Sequence, residues 1–248
     1  MDNLVVLNNE KISKDDNKFY CRNFNFKILP EGLNKFFNVQ YIARKSKINE
    51  HHELNLSDIK IASNIFQFVY YVVSTFKKKN TKYYIITITP YTFLAFLFLA
   101  LFRKKVFVYL ISSGFEEWKY ILGSWSVWIY NLMYSLVTSY STVIALHERL
   151  YKKKDGYVIE SSTLNKEWLQ NYKKPKLDKI RLLNVARVNP EKGIFEFLEM
   201  FKKLEIDAEI SIIGKTILIV YQAIHQGLIP RMRKSLKGLE TIKVKRLL

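Results

Sequence analysis

The chain has 248 residues, 49 % of them hydrophobic, with 40 Lys and Arg against 22 Asp and Glu and a net charge of +18. That apolar share suffices for a core and excludes global disorder. The single cysteine, Cys21, excludes an intramolecular disulfide framework and fits a reducing compartment, while the charge directs the chain to anionic partners such as nucleotide or phospholipid.

Residues 1–11 lack the basic and then apolar pattern of a signal peptide. Residues 3–7 (NLVVL) predict a first strand, 8–17 a polar turn, and 18–21 a strand closing a hairpin. LPEGL at 29–33 reads as a loop entering a short helix, with Gly32 as its turn glycine. A strand follows at 39–43 and a polar loop at 45–53. His51 and His52 in that loop point apart, so they form an exposed pair rather than a metal site. Residues 59–76 carry a helical stripe, Ile61, Ile65, Phe66, Val69, Val72 and Val73, ended by Lys77-Lys78-Lys79.

Residues 83–102 carry no charge over the length of a membrane span. Yet 83–89 (YYIITIT) is β-branched and aromatic, and Pro90 then suits the first turn of a helix. A buried strand and short helix are therefore expected, followed by a strand at 106–111. Ser112-Ser113-Gly114 lies at that strand's carboxyl end, where a hydroxyl can contact a ligand or cap a loop. Glu116 and Glu117 suit proton transfer or the dipole of a following helix. Residues 118–140 are apolar on nearly all sides: a core helix, or one docking on anionic headgroups with Arg103, Lys104, Lys105 and Lys119. Residues 142–146 predict a strand delivering His147 to its carboxyl end, a favourable place for a functional histidine. A basic turn at 152–156, a strand at 157–159, a helix at 164–171 and a linker at 173–176 complete this half.

The most informative stretch runs from 181 to 214. An apolar strand at 182–186 ends at Arg187, and VNPEKG follows. Ile194, Phe197, Leu198, Phe201 and Leu204 then mark one helix face, and a second strand at 209–213 ends on Gly214. Such a strand–helix–strand unit closes right-handed into a parallel sheet. Arg187, Lys192 and the helix opened by Gly193 gather two cations and unpaired amides at one mouth, a combination suited to a diphosphate.

VARVNPEKG, the amphipathic helix and EISIIG together resemble the start of the donor-sugar domain of the family 4 glycosyltransferases. Ala186 stands where that family usually has glycine. The resemblance implies an α/β, GT-B-like fold: an N-terminal Rossmann-like domain (1–172), the start of a donor domain (173–215) and an atypical basic tail (216–248). It implies a retaining, metal-independent transferase acting from the cytoplasm or the inner membrane face, with no cofactor besides the nucleotide-sugar donor. The acceptor it implies would be a glycan or lipid-linked molecule of the kind used in cell-envelope polysaccharide. Arg187, Lys192 and Gly193 would hold the donor diphosphate; Gly32, Ser112, Ser113 and His147 are the candidate sugar or acceptor contacts. The histidine that often contacts the sugar near 112 is missing, and no catalytic residue is assigned.

Past Gly214 the expected E-x7-E pair is absent, since Glu240 is the only acidic residue there. Glu191 and Glu199 have that spacing, but in the wrong place in the domain. The expectation is thus a truncated or frameshifted chain whose donor domain stops at a two-stranded fragment. No Asp-x-Asp triplet and no metal-ligand spacing occurs. The alternative is an integral membrane protein built on the apolar stretches 59–76, 83–102 and 118–140. Nucleic acid is not expected, because the aromatics are not interleaved with basic residues.

Overall fold

The computed structural model describes residues 1–150, 156–159, 170, 174, 180–185, 193–203, 208–214, 233–235 and 240–245. The chain divides into two compact units, Met1–Asn165 and Lys166–Leu248.

The first unit is built on β1 (Asn3–Asp15), β3 (Asn38–Lys45), β5 (Asp58–Ala62), β6 (Thr81–Ile86), β7 (Val106–Leu110), β8 (Thr142–Ala145) and β9 (Gly156–Val158). These strands pair in parallel in the spatial order β5-β3-β1-β6-β7-β8-β9. The chain steps outward from β1 through β3 to β5, then returns to β6 on β1's other side. That reversal makes the fold α/β and Rossmann-like. Successive residues of β1 serve opposite faces. Val5 and Leu7 enter one core with residues of α2 (Ile65–Ser74), α3 (Pro90–Leu101) and α5 (Trp125–Tyr140). Leu4 and Val6 enter the other, against Phe26, Leu29 and Leu33 of α1 (Asn25–Leu33). A strand covered on both sides must be apolar throughout, which is why 4–7 reads LVVL.

Four sequence expectations are corrected. Residues 8–17 are not simply a turn: β1 continues past a register shift between Leu7 and Lys11. Its outer part pairs antiparallel with β2 (Lys18–Cys21), which pairs with β4 (His52–Leu54). The buried Ile12 and Cys21 hold this arm to the core. Residues 29–33 are helical rather than a loop. Pro30 and Gly32 both lie inside α1, whose apolar side packs on the sheet and outweighs the bond that Pro30 cannot donate. The stripe at 59–76 is divided: 58–62 is the strand β5, and α2 starts only after Asn64, whose side chain accepts from the Gln67 amide. The apolar run 118–140 is divided too. Gly123, at φ +91°, ends α4 (Gly114–Leu122) before α5 begins.

The expected strand, Pro90 break and helix over 83–102 are present as β6 and α3, with Pro90 in the first turn. No helix among the described residues is long and apolar enough to cross a membrane.

In the second unit β10 (Ile180–Val185) and β11 (Ala208–Gly214) pair in parallel around α6 (Ile194–Lys203). Ile194, Leu198 and Phe201 are buried along the expected helix face. The sheet has more than the two expected strands. β13 (Glu240–Lys245) pairs antiparallel with β11, and β12 (Arg233–Ser235) pairs with β13.

Candidate functional site

The reversal of strand order between β1 and β6 leaves a crevice at the carboxyl ends of the strands, the general ligand position in open α/β sheets. A cleft of about 320 Å³ occupies it, entirely within the first unit. Its floor is Asn8-Asn9-Glu10, where β1 shifts register, and the β6–α3 connection from Thr87 to Pro90. Its far wall is Ser112 with α4, through Glu117, Trp118, Ile121 and Leu122.

Each part of the floor is held from below. The buried Asn8 donates from Nδ2 to the Tyr41 hydroxyl at 2.9 Å, and its Oδ1 accepts from the Glu10 amide at 3.1 Å. Burial raises Tyr41's ionisation well above the phenol's usual range, so its hydroxyl stays neutral. Burial also raises the Glu10 carboxyl, against the lowering effect of the Asn23 and Arg22 amides that donate to it, and the Glu50 charge adds to the rise. Asn9 accepts at Oδ1 from Arg44 Nη1 at 3.1 Å, and that guanidinium lies 4.4 Å from the centre of the Tyr91 ring.

Thr87 sits at φ +61°, an uncommon conformation for a β-branched residue, with its amide bound to the Tyr109 carbonyl at 3.0 Å. Its own carbonyl accepts from Thr92 Oγ1 at 2.9 Å. Thr89 and Thr92 cap α3 reciprocally, side chain to amide in both directions. On the far wall the buried Tyr130 hydroxyl accepts from the Gly114 amide at 3.2 Å. Burial pushes Tyr130 up to about 12. Trp118 packs against that ring with centroids 5.4 Å apart.

The lining is chemically one-sided. Its ionisable carboxylates are Glu10 and Glu117, and the described lining includes no lysine, arginine or histidine. Bringing a phosphate charge to about 5 Å from one carboxylate costs roughly 3 kcal/mol at an effective dielectric of about 20. A diphosphate is therefore disfavoured here. Carboxylate, amide and hydroxyl groups on one side and the Trp118 indole on the other suit a neutral polyhydroxylated molecule.

The sequence-predicted residues separate around this cleft. Ser112 lines it. Ser113 takes the position before α4 with no side-chain cap bond, and Glu116 and Glu117 fall in that helix's first turn. Gly32 is in α1 and His147 lies exposed beyond β8; neither lines the cleft. Gly193, in the second unit, takes φ +66° immediately before α6, and its carbonyl accepts from the Phe197 amide at 2.9 Å. Arg187 and Lys192 lie outside the described residues. The residues missed from sequence are Asn8, Asn9, Glu10 and Thr87. Their signal was position: polar residues directly after an apolar run of strand length.

No family model matches the chain, and no curated protein matches it. Among solved structures it is similar to MurG of Acinetobacter baumannii, at 11 % identity and a TM-score of 0.49, over 91 % of this chain and 65 % of that one. It is similar to UDP-GlcNAc 2-epimerase of Methanocaldococcus jannaschii, at 12 % identity and 0.44, over 92 % and 69 %. It is also similar to a UDP-N-acetylglucosamine 2-epimerase of Listeria monocytogenes, at 13 % and 0.43, over 91 % and 66 %. The chain thus spans just under two thirds of the length of the MurG chain.

Proposed function

We propose that the protein takes part in transferring a sugar from a nucleotide-sugar donor to a hydroxylated acceptor, with the acceptor in the cleft between β1 and β6. The observation that carries this reading is the composition of that cleft: hydrogen-bonding acceptors and an indole wall, with no cation in the described lining. The donor's diphosphate is assigned to the second unit, at the connection from β10 to α6. Arg187, Lys192 and the amides opened by Gly193 would there neutralise charge on the leaving group. In the transfer the acceptor hydroxyl oxygen bonds to the anomeric carbon while the bond from that carbon to the diphosphate oxygen breaks, and the hydroxyl proton passes to the departing diphosphate oxygen. Retention of configuration and independence of metal follow from the family resemblance at 181–214.

Calorimetric titration of a nucleoside diphosphate into the wild-type chain and Arg187→Ala tests the donor assignment. Loss of one bidentate charge-assisted contact is expected to weaken binding by about tenfold or more. Equal affinities would remove residue 187 from the donor site and with it this reading.

A further inference from the structure

One face of the first unit presents helices without charge. α2, α3 and α5 pack on the same side of the sheet, through Phe68, Val72, Phe96, Leu99, Met133 and Val137. None of them contains an Asp, Glu, Lys or Arg anywhere along its length. In a chain with 25 % charged residues, the outward positions of such helices are where charge belongs. Here those positions hold Phe66 on α2 (80 % exposed), Leu101 on α3 (74 %) and Trp128 on α5 (72 %). Tyr70, Leu97, Trp125 and Leu132 are exposed beside them. Trp125, Trp128 and Leu132, at i, i+3 and i+7, make one stripe. Single exposed apolar residues need no explanation; a run across neighbouring helices does.

The same face ends in concentrated positive charge. α2 and α3 each lead into the amino end of the next strand, so their final turns reach one edge of the sheet. Lys77, Lys78 and Lys79 follow α2; Arg103, Lys104 and Lys105 follow α3. Lys104 joins the two groups, its Nζ donating to the Phe76 carbonyl at 3.3 Å and lying 5.0 Å from the Phe76 ring centre. Lys78 is paired with Asp58 at 3.6 Å. Lys77, Lys79, Arg103 and Lys105 are exposed.

We infer that this face docks on an anionic phospholipid surface. The side chains of α2, α3 and α5 enter the headgroup region, and the two basic clusters bind lipid phosphates. Tryptophan and tyrosine suit that boundary, having an apolar body and a polar edge. Helices lying in the interface plane need only a charge-free outward face, not the length of a span. A second copy of the chain would bring another +18 to the contact, which argues against self-association.

Co-sedimentation of the full chain with phosphatidylcholine vesicles, with and without phosphatidylglycerol, tests the inference. The variants are Leu101→Asp with Trp128→Asp, and Lys79→Ser with Arg103→Ser. All four positions are exposed, and circular dichroism checks that the fold is kept. The wild type is expected to bind the anionic vesicles and to release with salt. The apolar pair should lose about tenfold or more in partitioning, and each removed cation about fivefold. Nucleoside-diphosphate affinity should be unchanged in every variant, which separates this inference from the transferase reading. Absence of wild-type binding, or equal binding by the apolar variant, overturns it. So does a dimer in sedimentation velocity that Trp128→Asp dissociates while vesicles are ignored.

Discussion

Gly114→Ala sets two physical effects against each other. At the first position of a helix with ordinary φ, alanine in place of glycine normally stabilises by about 0.4–1 kcal/mol through the unfolded chain. Here a methyl group would lie 2.6 Å from the Tyr130 hydroxyl oxygen and closer still to two ring carbons. Ordinary contact is about 3.5–4.0 Å, so the ring must move by about 1 Å. Two neighbours resist that movement, Phe115 edge-on at 4.8 Å and Trp118 at 5.4 Å, and Tyr130 is 2 % exposed. Overpacking of this kind costs about 1–3 kcal/mol, and displacement of the ring also breaks the bond from the Gly114 amide. The net expectation is destabilisation by about 2 kcal/mol, or roughly 4–8 °C in Tm. Urea unfolding followed by far-ultraviolet circular dichroism measures it. Removing the obstacle with Tyr130→Leu in the same chain should recover part of the loss, as a non-additive pair. A Gly114→Ala protein as stable as wild type, or more so, would refute the packing described for the cleft's far wall.

Three further outcomes are expected. Gly193→Ala forces an L side chain to φ +66°, where among the described residues a methyl group meets only Glu196, at 3.8 Å, so the expected cost is backbone strain of about 1–2 kcal/mol; hydrogen exchange should quicken in α6 and leave the first unit unchanged. Glu10 has a raised folded-state pKa, so its ionisation works against the fold as pH rises through that value. Glu10→Gln should therefore stabilise at pH 7, with the gain vanishing as pH falls below the ordinary 4.5, as followed by chemical denaturation across pH. Tyr130 is raised from 10.0 to about 12 and Tyr83 and Tyr84 rise with it, all chiefly by burial. The unfolded chain then ionises first, and stability should fall between pH 10 and about 12; tyrosinate absorbance rising well before circular dichroism changes would contradict this.

Much of the fold was legible because its signals are local. The uncharged stretch 83–102 resolves into β6 and α3 because Pro90 stops a strand and starts a helix, and both are properties of a few neighbouring residues. The stripe from Ile194 likewise marks α6. The misreadings at 29–33 and 59–62 share one cause. Pro30 and Gly32 oppose a helix locally, and Ile59 and Ile61 fit either period, but packing on the sheet decides both. Of the arm formed by the outer part of β1, the closing strand at 18–21 was legible as a hairpin partner, a local pairing; the strand at 52–54 was not, because it joins by long-range pairing with β2.

By itself the amino-acid sequence determined an α/β chain, the strand–helix–strand unit from 181 to 214, and the start of that unit's helix at Gly193. Each depends on the conformational preferences of adjacent residues. Only the tertiary structure decided where the first unit holds its cleft. Asn8, Thr87, Gly114 and Tyr130 are far apart along the chain, and they meet because the strand order turns back between β1 and β6. It also decided that α2, α3 and α5 share one uncharged face, since which side of a sheet a helix covers follows from the hand of its connection and not from its composition.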